Sequence, residues 1–365
     1  MSFKYNVNKK FWIPLSIIDT IGSALFFWKK ITPFPKKVKK ILILRTDHIG
    51  DLLFTTPLFK LLKNKYHAKI HVLCIPEAKE VIEGSKNVDK IYELYTPWFS
   101  KSKFAGWGNF INKIKELRKE KYDLVIELHD DPRNIVLANL IGGYSIGYGC
   151  RGCRFLLNKP VRYWKEVLKQ IMWRNLDVIE PLGISINNPE VEVILNNEAN
   201  VCVKNWLRKN KIKKYTIIHP FTRREEKNWS IEKWAKLCDS INGTIILSGS
   251  GEDEIRLEQI ANNSINTLNI FIFTDHPLKE LYALIKNASL FIGTDTFATH
   301  LASIMGVKTV ALYGPTLVDL WGPIGKNTTT IQGKYNNLPN GFKEGTIECM
   351  DAIRLEKVLG AIRDR

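Results

Sequence analysis

With 365 residues, 45% of them hydrophobic, the chain can bury a core in each of two domains. Its six cysteines are scattered at 74, 150, 153, 202, 238 and 349, with one Cys150-to-Cys153 step and no second pair to complete a zinc site, so a disulfide framework and a metal cage are both excluded in favour of reduced thiols. A formal charge of +17 implies an anionic partner.

The N-terminal arm, residues 1–40, holds nine lysines and one acid, so about half of the excess charge sits there. The lysine pairs Lys9-Lys10 and Lys29-Lys30 flank an apolar run from Phe11 to Trp28 in which Ser16, Asp19, Thr20 and Ser23 recur at helical spacing. This pattern predicts a helix lying in a bilayer interface, with anionic lipid favoured by the basic flanks. Docking on the protein's own core is an alternative. A membrane span or signal anchor is another, although the run is short for the roughly 20 residues a span needs and contains Pro14 and Asp19. The interleaving of apolar and basic residues is not a nucleic-acid motif.

Beyond the arm, strand and helix patterns alternate twice. The first series has strands at 41–44, 70–74 and 124–128 and helices near 51–64 and 109–120. Turn residues from Asp130 to Arg133, the glycines 142, 143, 147, 149 and 152, and a Trp- and Leu-rich helix complete a domain over 41–190. The polar stretch near 187–200 reads as a linker. A second domain over 200–345 has strands at 216–219, 244–247, 270–273, 290–292 and 308–312 and helices at 230–241, 252–262, 277–286 and 297–305, and a C-terminal helix fills 346–365. Such alternation predicts an α/β chain of two Rossmann-like domains, each with a parallel sheet covered on both faces, facing a cleft.

Function is written in the loops that follow the strands. The apolar run Ile41-Leu42-Ile43-Leu44 leads through a polar turn to Gly50 and Asp51, which places a carboxylate at the carboxyl edge of a strand, where ligands of open α/β sheets bind. Ordinary helix N-capping by Asp51 is the competing reading. In the second domain, the loop from His219 to Trp229 clusters hydroxyl and cationic side chains ahead of a helix, or is a solvated loop with a Trp anchor. The small residues Ser248-Gly249-Ser250-Gly251 let a ligand approach the backbone, with Glu252 able to accept from a ribose, or form a simple turn. The turn Gly293-Thr294-Asp295-Thr296 opens a helix whose free N–H groups suit a diphosphate, and His300 inside that helix is either a ligand contact or structural.

Taken in order, His48-Ile49-Gly50-Asp51 with Thr55-Thr56-Pro57, Lys227-Asn228-Trp229, Gly293-Thr294-Asp295-Thr296 with His300, and Tyr313-Gly314-Pro315-Thr316 leading to Trp321-Gly322-Pro323 resemble the lipopolysaccharide heptosyltransferases, glycosyltransferase family 9. The resemblance covers the chain from about Lys40 to Cys349-Met350. It implies a GT-B fold and an inverting, metal-independent enzyme without a cofactor. A sugar, heptose-like, would move from a nucleotide-diphosphate donor, ADP-linked in this family, to a lipid-linked lipopolysaccharide or related surface glycan.

By motif position, the resemblance makes Asp51 the catalytic base. It puts Thr222, Arg223 and Lys227 on the donor phosphates, Glu252 on the ribose, His276 near the base, and Asp295, Thr296 and His300 around the donor pocket. His48, Asp130 and Arg133 would meet the acceptor. Two positions depart from the family pattern, since Phe221 and Phe297 stand where glycine is usual and would crowd the donor site. The implied location is cytoplasmic, peripheral on the inner face of the plasma membrane. The alternatives are a non-catalytic sugar-nucleotide-binding protein of the same fold, and a nucleic-acid binder favoured by charge alone. Metal binding by Asp130-Asp131 is a minor reading, because the pair precedes Pro132-Arg133 on an N-domain strand end.

Overall fold

The computed structural model describes residues 9–98, 106–161, 169–333 and 348–363. Its contacts divide the chain into two compact units, Met1–Ile194 and Leu195–Arg365.

The first unit is built on six strands, β1 (Lys40–Arg45), β2 (Lys69–Cys74), β3 (Lys90–Glu93), β4 (Leu124–Glu127), β5 (Tyr144–Tyr148) and β6 (Lys159–Val161). They form a parallel sheet in the order β3-β2-β1-β4-β5-β6. The inner strands are apolar runs because helices cover both faces, which leaves no solvent side for alternation. Leu42, Leu44, Leu73 and Val125 pack on Phe110, Leu117 and Leu137 from helices Trp107–Lys119 and Pro132–Ile141. The second of these helices is framed locally. Pro132 fits the first turn, Asp131 caps it by accepting from Arg133 N–H at 2.9 Å, and Gly142 ends it at φ 93°.

The second unit repeats the plan with β7 (Tyr215–His219), β8 (Thr244–Ser248), β9 (Ile270–Phe273), β10 (Leu290–Thr294), β11 (Thr309–Tyr313) and β12 (Thr328–Gln332), ordered β12-β11-β10-β7-β8-β9 and parallel throughout. Counted within each unit, the two sheets share one order, 3-2-1-4-5-6. In each, the chain leaves the first and fourth strands toward opposite edges, which opens a crevice at their carboxyl ends. That crevice lies between β1 and β4 in one unit and between β7 and β10 in the other. A core of Trp229, Trp234, Leu257, Ile292 and Leu312 is closed by Met350, Ile353 and Val358 from the C-terminal segment.

Several elements differ from the sequence reading. The helix expected over 51–64 is two helices, Ile49–Leu53 and Thr56–Tyr66. Residues 252–262 begin with a 3-10 turn, Gly251–Asp253, ahead of helix Glu254–Asn262. The C-terminal segment is two helices, Glu348–Asp351 and Leu355–Arg363, and residues 346–347 and 364–365 lie outside the described residues. The Trp- and Leu-rich helix is present as Ile171–Asp177, while residues 162–168 of that stretch lie outside the described residues.

Strands β3, β5, β6 and β12 were not legible. Three of them are sheet edges, where burial is incomplete and polar residues or Pro160 are tolerated. β5 hides among glycines, and Gly147 is required there, since a Cβ would lie 2.8 Å from the Glu127 carbonyl of the neighbouring strand. Gly147→Ala is therefore expected to destabilise the first unit by about 1–3 kcal/mol, measured as a fall in its denaturation midpoint.

The arm takes up docking, one of the readings its sequence left open. Helix Trp12–Leu25 is docked on the first unit, but by its polar and small residues: Asp19 is fully buried with Arg154 Nε 3.3 Å from its carboxylate, and Gly22 lies under the Phe155 ring. Its isoleucines face outward. Among the described residues no helix is long and apolar enough to cross a membrane. All six cysteines are free.

Candidate active site

In the first unit the crevice is lined by charged groups that a buried strand end rarely carries. Arg45, last residue of β1 and 2% exposed, places one guanidinium nitrogen 3.1 Å from an Asp51 carboxylate oxygen and another 3.1 Å from Asp47, while a third donates to the Leu128 carbonyl at 2.7 Å. Asp51 sits in the first turn of helix Ile49–Leu53, and the N-cap position belongs to His48. Capping therefore does not explain the carboxylate. Burial and the neighbouring Asp47 push the Asp51 carboxyl above its usual range, against the pull of Arg45, His48 and His129. A Cβ added at Gly50 would meet nothing within 4 Å, so the backbone next to Asp51 borders open space.

Across the crevice, Glu127 ends β4 fully buried and accepts from the N–H groups of His129 at 2.8 Å and Asp130 at 3.0 Å. Burial and Asp130 push its carboxyl up to about 8. His129 moves the other way, down to about 4, by burial and the Arg45 charge. Arg45, Asp47, Glu127 and His129 were missed as site residues. The readable signal was an arginine, and then a glutamate, closing strands that are otherwise apolar.

The three residues expected to meet an acceptor do not form one group. His48 is exposed beside Asp51. Asp130 is buried and accepts from the N–H groups of Cys150 at 2.9 Å and Arg151 at 3.3 Å, which ties the β4 loop to the segment after β5. Arg133 pairs with Asp131 and lies over the Trp98 ring at 5.5 Å. The carboxylates of Asp130 and Asp131 are thus engaged in loop anchoring and capping. Among the described residues no group of three or more His, Cys, Asp or Glu is placed to hold a metal.

At the second crevice lie several of the residues expected to meet a donor. Lys227, in the turn Glu225–Lys227 after β7, places its ammonium 2.7 Å from Asp295, which follows β10. His300 Nε2 lies 3.6 Å from the other Asp295 oxygen. Burial opposes ionisation of Asp295, yet contacts from His300 and Lys227 hold its carboxyl well below the carboxylate range. Thr296 caps helix Phe297–Ile304 by accepting from Thr299 N–H at 3.4 Å. The loop before Lys227 is pinned by Asn228, whose side chain accepts from Thr222 N–H at 2.7 Å, while the Thr222 hydroxyl donates to the Arg224 carbonyl at 3.0 Å. Arg223 is exposed. Tyr313, at the end of β11, is buried next to Asp295, and desolvation together with that carboxylate raises its phenol well above the ordinary value.

At the β8 and β9 ends, Glu252 is exposed in a turn closed by a Ser250–Asp253 capping box. His276 stacks on Phe273 with ring centroids 3.7 Å apart and pairs with Glu280 at 2.8 Å. The crowding expected of Phe221 does not occur. Its ring is 3% exposed in the core with Trp229 and Trp234, and the Arg256 guanidinium covers it at 3.9 Å. Phe297 leans on Tyr282, with centroids 5.9 Å apart.

Residues 111–350 match glycosyltransferase family 9 (heptosyltransferase). The chain belongs to this family. It is a glycosyltransferase of GT-B fold. It is 25% identical over 307 residues to lipopolysaccharide heptosyltransferase 3 of Escherichia coli, covering 80% of this chain and 88% of that protein. The structure is similar to the family 9 glycosyl transferase from Veillonella parvula, with a TM-score of 0.77, 21% identity, and 90% and 97% of the two chains covered. It is similar also to E. coli heptosyltransferase WaaC with ADP, with a TM-score of 0.68, 19% identity, and 88% and 98% covered.

Proposed function

We propose that this glycosyltransferase moves a heptose-like sugar from an ADP-linked donor to a lipopolysaccharide or related lipid-linked surface glycan, with inversion and without a metal. The division of charge between the two crevices carries this reading: a carboxylate with a raised pKa in the first, and a lysine fixed by Asp295 beside a hydroxyl-capped helix in the second. Asp51 takes the proton of the acceptor hydroxyl as its oxygen attacks the anomeric carbon. The bond from that carbon to the donor diphosphate breaks, and a nucleoside diphosphate leaves. Its growing negative charge is met by Lys227, the Thr222 loop and the N–H groups opened by Thr296, which supply the stabilisation a metal supplies elsewhere. Arg45 holds Asp51 in place. The Phe273–His276 stack offers a face to a nucleobase, Glu252 reaches the ribose, and the acceptor is met beside His48 and the β4 loop.

The names of the relatives support the sugar and acceptor, and the ADP of the WaaC complex supports the nucleotide. A lipid-linked acceptor puts the enzyme on the cytoplasmic face of the membrane. The test is thermal stabilisation by a panel of nucleoside diphosphates and sugar nucleotides in excess EDTA. ADP at about 100 times its dissociation constant should add about 2.7 kcal/mol. Stabilisation only with added divalent cation would overturn the metal-independent mechanism, and no stabilisation by any diphosphate would overturn the donor site.

A further inference from the structure

Surface helices bury their apolar stripe and show polar residues to water. The helix Trp12–Leu25 does the reverse. Its buried residues are Asp19 and Gly22. Ile13 (75% exposed), Ile17 (54%), Ile21 (56%) and Leu25 (62%) face out, and the face continues through Trp28 and Ile31 of the next helix.

The inward side is held at several points. Asp19 pairs with Arg154, a side chain at Gly22 would collide with the Phe155 ring at 2.5 Å, Phe26 packs on that same ring, and Asn158 donates to the Lys29 carbonyl at 2.8 Å. The platform beneath is part of the active-site edge. Gly152 lies between Leu15 of the arm and Pro132 of the β4 loop, and Asp130 of that loop accepts from Cys150 and Arg151. The apolar face is therefore fixed in position relative to the edge that carries Asp51.

We propose that this face is a membrane-docking plate, inserted at the headgroup boundary of an anionic phospholipid leaflet, that presents the Asp51 edge to the lipid-linked acceptor. This rests on the acceptor class proposed above. Charge selects the occupant. Lys10 and Lys30 are exposed at the two ends of the plate, Lys36, Lys37 and Lys39 are exposed in the segment that leads from it to β1, and the one acid of the arm, Asp19, is buried on its inner side. Protein interfaces are depleted in lysine, whereas an apolar helix with aromatic residues and a lysine rim fits an anionic lipid surface. Because the plate is docked by an ion pair rather than tethered, it orients the first unit as well as recruiting it.

The full-length protein is tested by co-sedimentation with vesicles of phosphatidylglycerol and phosphatidylcholine, and with phosphatidylcholine alone. Binding should be strong on the mixed vesicles, weaker by about tenfold or more on the neutral ones, and reduced by salt. The double substitution Ile17→Glu with Ile21→Glu, on the outward face of the helix, should abolish vesicle binding. It should leave ADP stabilisation and transfer to a delipidated, water-soluble acceptor unchanged, while transfer to vesicle-borne acceptor falls. Vesicle binding by this variant equal to the parent would overturn the plate, as would equal binding of the parent to both vesicle types. So would a dimer of the parent that this variant dissolves, which would assign the face to a second copy. Vesicle binding is read without substrate, so a failure of the transfer reaction does not mask it.

Discussion

Replacing Asp51 with asparagine is expected to lower turnover about 10²- to 10⁴-fold while leaving nucleoside diphosphate binding intact. The substitution keeps an oxygen facing Arg45, 3.1 Å away in the parent, so the local structure should persist and the loss should fall on proton transfer. Two further measurements identify the base. The parent should lose kcat/KM on the acid side at a pH above the ordinary carboxylate range, because burial and Asp47 raise the Asp51 pKa and protonation removes the base. The variant's residual activity should lack that limb. Stability should move in the opposite sense. A carboxyl whose folded pKa lies above its unfolded value weakens the fold progressively as pH rises from the unfolded toward the folded pKa, so the neutral asparagine should match or exceed the parent's melting temperature at neutral pH. A variant that transfers sugar at the parental rate would remove Asp51 from the mechanism.

Lys227→Ala should weaken binding of a nucleoside diphosphate by about 1.5–3 kcal/mol, the worth of a charge-assisted contact, and binding of the corresponding nucleoside far less. Calorimetry with the two ligands reads the difference directly, and equal losses would show that the lysine does not meet the phosphates. The substitution also strips Asp295 of a partner 2.7 Å away and leaves the His300 contact. Because both side chains retain some exposure, 17% and 9%, the destabilisation should stay at or below the about 3 kcal/mol at which fully buried pairs begin. Its pH dependence has a defined sign. The Asp295 carboxyl is held low in the folded state, so the stability it confers is present above the unfolded carboxylate pKa and is lost as pH falls through the folded one. The gap between parent and variant should therefore be full at neutral pH and close as the medium is acidified.

Much of the candidate site's placement was readable because strand ends and polar loop residues coincide. Apolar runs ending at Arg45, His219 and Thr294 mark three strands, and the polar residues that follow each lie where an open parallel sheet binds ligands. The join of Lys227 to Asp295 was not readable, since 68 residues separate them and only the adjacency of β7 and β10 brings their loops together. The same is true of Arg45, whose partners Asp51 and Leu128 arrive from two different connections. Phe221 shows the opposite error. A large side chain in a glycine position predicts a crowded donor site, but the backbone turns it into the core beneath Arg256.

By itself the sequence determined a two-unit α/β chain, because periodicity and turn residues act over short spans, and its ordered motifs carried the resemblance to the glycosyltransferase family. It also determined that the arm is amphipathic. Which face of that helix meets the protein was decided only by tertiary structure. The Arg154 charge and the Phe155 ring accept Asp19 and Gly22 and leave the isoleucines outside. Hydrophobic periodicity fixes that a helix has two unlike faces, and the partner surface, assembled from residues more than 130 positions away, chooses between them.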